Sequence, residues 1–151
     1  MKTMKLLRFA AALLVGFAAG AYAVRLLPKS QPAELRRLGE SVEFSKPLYA
    51  QYSAGDYEQG RAAMLALVSH LDEYAAESER CGVSYYNADA MMAHVRLAKL
   101  EEGRDGAARA DFMREAVARC ERLRAAGGWR RACDESYLRG EVDRSDALIE
   151  R

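Results

Sequence analysis

The chain has 151 residues, 23 basic and 22 acidic side chains for a formal net charge of +1, and half its residues are hydrophobic. So balanced a charge provides no global field for nucleic acid, and the length allows one domain with a single real core. Ala, Leu, Glu and Arg abound, Val, Ile and Thr are scarce, and all three prolines precede residue 48, a composition that favours helices over sheet.

In chain order, Lys2, Lys5 and Arg8 come first, followed by an uncharged run from Phe9 to Val24 and then by Arg25 and Lys29. A membrane-spanning helix needs about 20 apolar residues. Residues 6–27 reach that length if Arg8 and Arg25 extend toward the interfaces. The competing reading is a signal peptide cleaved after Ala23, which the Ala21-Tyr22-Ala23 pattern fits. Arg25 and the apolar pair Leu26-Leu27, following at once, favour an anchor over residues 1–27. The short basic N-terminus then leaves a single-pass protein of the bacterial inner membrane with its body in the periplasm.

Residues 28–46 read as a linker and a short helix, with Leu35, Leu38 and Val42 at helical spacing. Pro47 either kinks that helix or starts a new one, and a helical domain occupies 47–151. Gly55 stops the first helix of that domain and Asp56 caps the next, from Tyr57 to Glu79. Cys81-Gly82 ends it, and Ser84 or Asn87 opens a helix running to about Glu102. Gly103 and Asp105 form the next turn, before a helix to about Ala126. Gly127-Gly128 is a stop, and a final helix covers about Asp134 to Glu150. The fold class is therefore all-α: an N-terminal transmembrane helix followed by stacked antiparallel helical hairpins.

None of the three cysteines, Cys81, Cys120 and Cys133, forms a C-x-x-C pair, so zinc and redox motifs are unsupported. In an oxidising compartment Cys120 and Cys133, on either side of a helix end, are the favoured disulfide; three buried small hydrophobes is the alternative. His70 and His94 sit on different predicted helices, and with Met91-Met92 the most economical reading is core methionine beside an interfacial histidine rather than a copper site. The acidic pairs, such as Glu101-Glu102, are adjacent on helices and point apart. No catalytic set, metal or cofactor is expected. Tyr49, Tyr52, Tyr57 and Tyr86 are candidate partner-binding aromatics, with ordinary hairpin packing as the plainer reading.

The two turns are similar. One reads Tyr52-Ser53-Ala54-Gly55-Asp56-Tyr57-Glu58-Gln59-Gly60; the other reads Leu100-Glu101-Glu102-Gly103-Arg104-Asp105-Gly106-Ala107-Ala108. Both resemble the turn of a tetratricopeptide repeat, a helix–turn–helix unit. Gly55 with Gly60, and Gly103 with Ala108, match that family's helix-ending glycine and the small residue five positions on. Phe112 meets the aromatic position beyond, where the first unit has Met64. Leu67 and Glu115 stand where a small residue is expected, and Arg96 and Lys99 occupy the family's Gly and Tyr positions. The resemblance implies a stack of hairpins that binds a protein partner in its groove. The expected function is a membrane-tethered interaction module, an accessory or scaffold subunit of an envelope complex. The alternative is an exported small helical protein with a structural or metal-binding role.

Overall fold

The computed structural model describes residues 31–77 and 80–149, with side chains over 33–77 and 85–148. Five helices account for its regular structure: α1 (Gln31–Ser53), α2 (Tyr57–Glu77), α3 (Arg80–Leu100), α4 (Gly106–Ala125) and α5 (Glu135–Ile149). There is no strand among the described residues. The chain divides into a unit of residues 1–35 and a unit of residues 36–151, and the second holds the packed helical body. No helix among the described residues is long and apolar enough to cross a membrane. The expected span over residues 6–27, and the cleavage position after Ala23, lie outside the described residues.

Local chemistry sets most of the helix ends. Gly55 and Gly103 adopt φ of 80° and 71°, the left-handed conformation that a Cβ disfavours. The Asp56 carboxylate then accepts from Gln59 N–H at 2.8 Å, and that of Asp105 from Ala107 and Ala108 N–H, both at 2.9 Å; each satisfies donors that a helix start leaves open. Behind α4, Gly127 has φ 76°. Gly127 N–H bonds Arg124 O at 3.0 Å and Gly128 N–H bonds Leu123 O at 2.9 Å, the paired bonds of a Schellman motif. Asp134 caps α5 through Tyr137 N–H at 2.9 Å. A Cβ on Gly103 would meet nothing within 4 Å. Gly103→Ala is therefore expected to cost about 1–2 kcal/mol of purely backbone origin, measurable as a lower urea midpoint with an unchanged slope.

Two elements differ from the sequence expectation. Helix α1 continues through Pro47 as one element, so of the two readings of that proline the start of a new helix is the one set aside. The proline removes one backbone bond, and Leu48, Tyr49 and Tyr52 beyond it are packed on the core. Cys81 and Gly82 do not end α2. They lie in the first turn of α3, where Gly82 is helical rather than left-handed. A glycine marks a stop only when it takes the left-handed conformation.

The register of side-chain pairs shows the topology. Phe44 stacks on His70 and Arg37 reaches Glu77 O, so α1 and α2 are antiparallel. Arg61 pairs with Glu101 and Tyr74 meets Tyr86, so α2 and α3 are antiparallel. Arg139 pairs with Glu102, Lys99 with Asp143 and Arg96 with Asp146, so α3 and α5 are antiparallel. Contacts also join alternate helices: Tyr49 of α1 with Asp89 of α3, Tyr52 of α1 with Asp146 of α5, and Asp72 of α2 with Arg119 of α4. Helices α1, α3 and α5 therefore meet along one side of the body, and the Asp72–Arg119 pair reaches from α2 to α4.

Helix α3 is the centre. Residues 93–98 are all buried, which one full turn allows only if neighbours cover every side. On one side Met91, Val95 and Ala98 pack with Met113, Ala116 and Leu123 of α4 and with Leu138 and Val142 of α5. On the other, Tyr86, Ala90, Ala93 and Leu97 pack with Met64, Leu67 and Leu71 of α2, with Leu48, Tyr49 and Tyr52 against them. Cys120 and Cys133 are joined by a disulfide, Cα–Cα 5.5 Å, which ties α4 to the residue just before the α5 cap.

Candidate functional site: a cleft across the odd-numbered helices

Helices α1, α3 and α5 enclose a cleft of about 320 Å³. Val42, Ser45, Lys46 and Tyr49 come from α1; Tyr85, Asp89, Met92 and Arg96 from α3; Glu141 and Ser145 from α5. Positions 42, 45, 46 and 49 share one face of α1, as do 85, 89, 92 and 96 on α3, because a helix returns every three to four residues. Val42 and Tyr85 are exposed at its mouth.

The floor is an ion-pair network. Arg96 is 2% exposed. Its Nε donates to Asp146 Oδ1 at 2.9 Å and its Nη2 to Ser145 Oγ at 3.1 Å. The guanidinium lies over Tyr49, 4.8 Å from the ring centroid, and more distantly over Tyr52 at 5.9 Å. Asp146 Oδ2 in turn accepts from Lys99 Nζ at 3.1 Å and from Tyr52 O–H at 3.3 Å. Lys99 also donates to Asp143 at 2.7 Å. A cation taken out of water needs this degree of pairing.

Beside it, Tyr49 O–H donates to Asp89 Oδ1 at 2.6 Å. Burial pushes the Asp89 carboxyl above the ordinary carboxylate range, against the pull of the Tyr49 hydrogen bond and the nearby Arg96 charge. Burial, then the Asp89 charge, likewise drives the Tyr49 phenol far above its usual value, so it stays protonated. A carboxyl whose folded pKa is raised binds its proton more tightly in the folded than in the unfolded chain. Its ionisation therefore costs stability above the folded pKa, and that cost is absent below the ordinary value of about 4. Asn keeps an acceptor for Tyr49 without the charge. Asp89→Asn is expected to raise the melting temperature at pH 7, with the gain vanishing on acidification below pH ~4.

Of the four tyrosines marked in the sequence, Tyr49 lines this cleft and Tyr52 borders it through Asp146. Tyr57 is elsewhere, donating to the buried Glu101 at 2.9 Å beneath the Arg104 guanidinium. Tyr86 is fully buried and belongs to the core; its neighbour Tyr85 is the one that reaches the cleft. Gly55 and Gly103 sit in the two turns. Gly60 is buried where α1 and α3 end, a Cβ there lying 3.5 Å from Tyr52 Cα and 3.7 Å from Leu100 Cδ1. Ala108 receives the Asp105 cap. The histidines face different neighbours: His70 lies between Phe44 and Tyr74, and His94 Nδ1 is 2.8 Å from Ala90 O. Burial lowers the pKa of both. Among the described residues no three His, Cys, Asp or Glu side chains gather as a metal site. Asp89, Arg96 and Asp146 are not among the site residues that the sequence suggests. The one available signal is a lone Arg96 within the otherwise apolar run Val95 to Ala98. No protein-family model, curated protein or solved structure matches this chain.

Proposed function

We propose that the helical body is a protein–protein interaction module, a non-catalytic accessory or scaffold subunit of an envelope complex, tethered to a membrane by the apolar segment ahead of it. The cleft of the odd-numbered helices is the observation that carries this reading. Three helices distant in sequence supply its walls, its floor is held by fixed ion pairs, and its mouth carries exposed Val42 and Tyr85. A rigid concave surface with aromatic and apolar anchors suits recognition of a partner segment at low ordering cost. Antiparallel helical hairpins are what the resemblance of the two turns to a tetratricopeptide repeat implies. The charges of its floor are engaged with one another, Arg96 with Asp146, and the Tyr49 phenol stays protonated.

The test is purification of the tagged full chain from its own host in mild detergent. A stoichiometric partner is expected. Val42→Asp, at the cleft mouth, should release it, and Leu148→Asp, at an exposed position outside the cleft lining, should not. A chain that carries no partner, or one whose partner tolerates Val42→Asp, would refute the reading.

A further inference from the structure

Each charge lining the cleft can be assigned a partner except one. Lys46 pairs with Glu43. Arg96 pairs with Asp146, which also takes Lys99, while Asp143 balances Lys99. Glu141 is held by Arg131 and Arg144. Asp89 has no ion pair among the described residues; it accepts a hydrogen bond only from the neutral Tyr49 O–H. It lies on the same cleft wall as Tyr85 and Met92. A largely buried carboxylate whose nearby cation, Arg96, is bonded to Asp146 instead is a costly group to keep, and here it opens onto a cavity large enough to admit a counter-charge of its own.

We infer that the cleft is a pocket for a lysine or arginine side chain of the partner protein, with Asp89 as its counter-ion, the Tyr49 and Tyr85 rings beside the cation, and Val42 and Met92 along its aliphatic stem. This rests on the interaction-module reading and gives it a partner chemistry. Cations are attracted to aromatic faces and most strongly where water is excluded, and a charge-assisted bond to a desolvated carboxylate is stronger than its exposed counterpart. A second cation is tolerated beside Arg96 because the Arg96 charge is already spent on Asp146. Binding also recovers the ionised state of Asp89 that burial disfavours.

The probe is n-butylammonium, with n-pentanol as its neutral counterpart, added to the full chain in detergent micelles. The carboxyl-carbon resonance of Asp89 and the ring resonances of Tyr49 and Tyr85 report the site. Saturable shifts by n-butylammonium, at least about tenfold weaker in Asp89→Asn, are the expected result, as is loss of the co-purified partner in that variant. Equal binding of n-pentanol, shifts unchanged in Asp89→Asn, or a partner that survives Asp89→Asn while Val42→Asp releases it would overturn the pocket and leave the module reading standing. Because the probe needs no partner, failure of the module reading is read separately, from the Val42→Asp purification. The variant's own melting curve shows that it is folded.

Discussion

Asp146→Asn is expected to destabilise the protein by about 3 kcal/mol, and Arg96→Met by only about 1 kcal/mol, although each removes one side of the same ion pair. The asymmetry follows from the network. Asp146 serves Arg96, Lys99 and Tyr52 together, so losing its charge strands a guanidinium that is 2% exposed. Arg96→Met removes the buried cation itself, leaves Asp146 with Lys99, and replaces the side chain with an apolar one that can pack on Tyr49. Breaking a buried pair from the side that leaves a charge behind costs far more than replacing the charge by a hydrophobe. Thermal melts should show Asp146→Asn lower by roughly 10 °C or more for a body of this size. A larger loss for Arg96→Met would mean that the cation–π contact with Tyr49, not the ion pair, holds the floor.

The second large effect is the disulfide. Cys120 and Cys133 are 13 residues apart in sequence, and a loop of that length is worth roughly 3 kcal/mol in the chain-entropy account. The bond matters beyond its size because α5 is the shortest helix among the described residues, and its apolar hold on the core comes from Leu138 and Val142, the rest being surface and cleft ion pairs such as Arg139–Glu102 and Arg96–Asp146. Cys120→Ala/Cys133→Ala, chosen to avoid burying hydroxyls, should lower stability by that amount, and reductant should have the same effect on the natural chain. Hydrogen exchange should quicken first in 135–149, and the cleft should loosen with it, since α5 carries its Glu141 and Ser145. Exchange that accelerated uniformly across all five helices would contradict this local role.

How much of the fold and the cleft was legible in the sequence depended on whether the cause was local. The turns at Gly55 and Gly103 and the caps at Asp56 and Asp105 could be read because one or two residues decide them through backbone conformation and a side-chain acceptor. Pro47 was harder, because whether a helix survives a proline depends on what packs beyond it. The junction at Cys81-Gly82 was misplaced because glycine is a stop only in a conformation that the local sequence does not dictate. Arg96 and Asp89 were out of reach for a different reason. What makes Arg96 tolerable is Asp146, fifty positions away, and what makes Asp89 unusual is that the cation near it is bonded to Asp146 rather than to Asp89. Sequence periodicity predicts which face is buried, not which charges will meet there.

The position of α3, covered on all sides, has a consequence for how the molecule comes apart. In an array of independent repeats each unit contributes its own stability, and units can be lost from an end one at a time. Here both halves of the interior share a single helix: Met91 and Val95 belong to one cluster, Ala90 and Leu97 to the other. Neither half can be excised without exposing the other's apolar surface. A fragment ending at Leu100 would lack α4 and α5 over one entire flank of its last helix. The helical body is thus indivisible in a way its hairpin sequence does not suggest, and denaturant should unfold it in one transition rather than in steps.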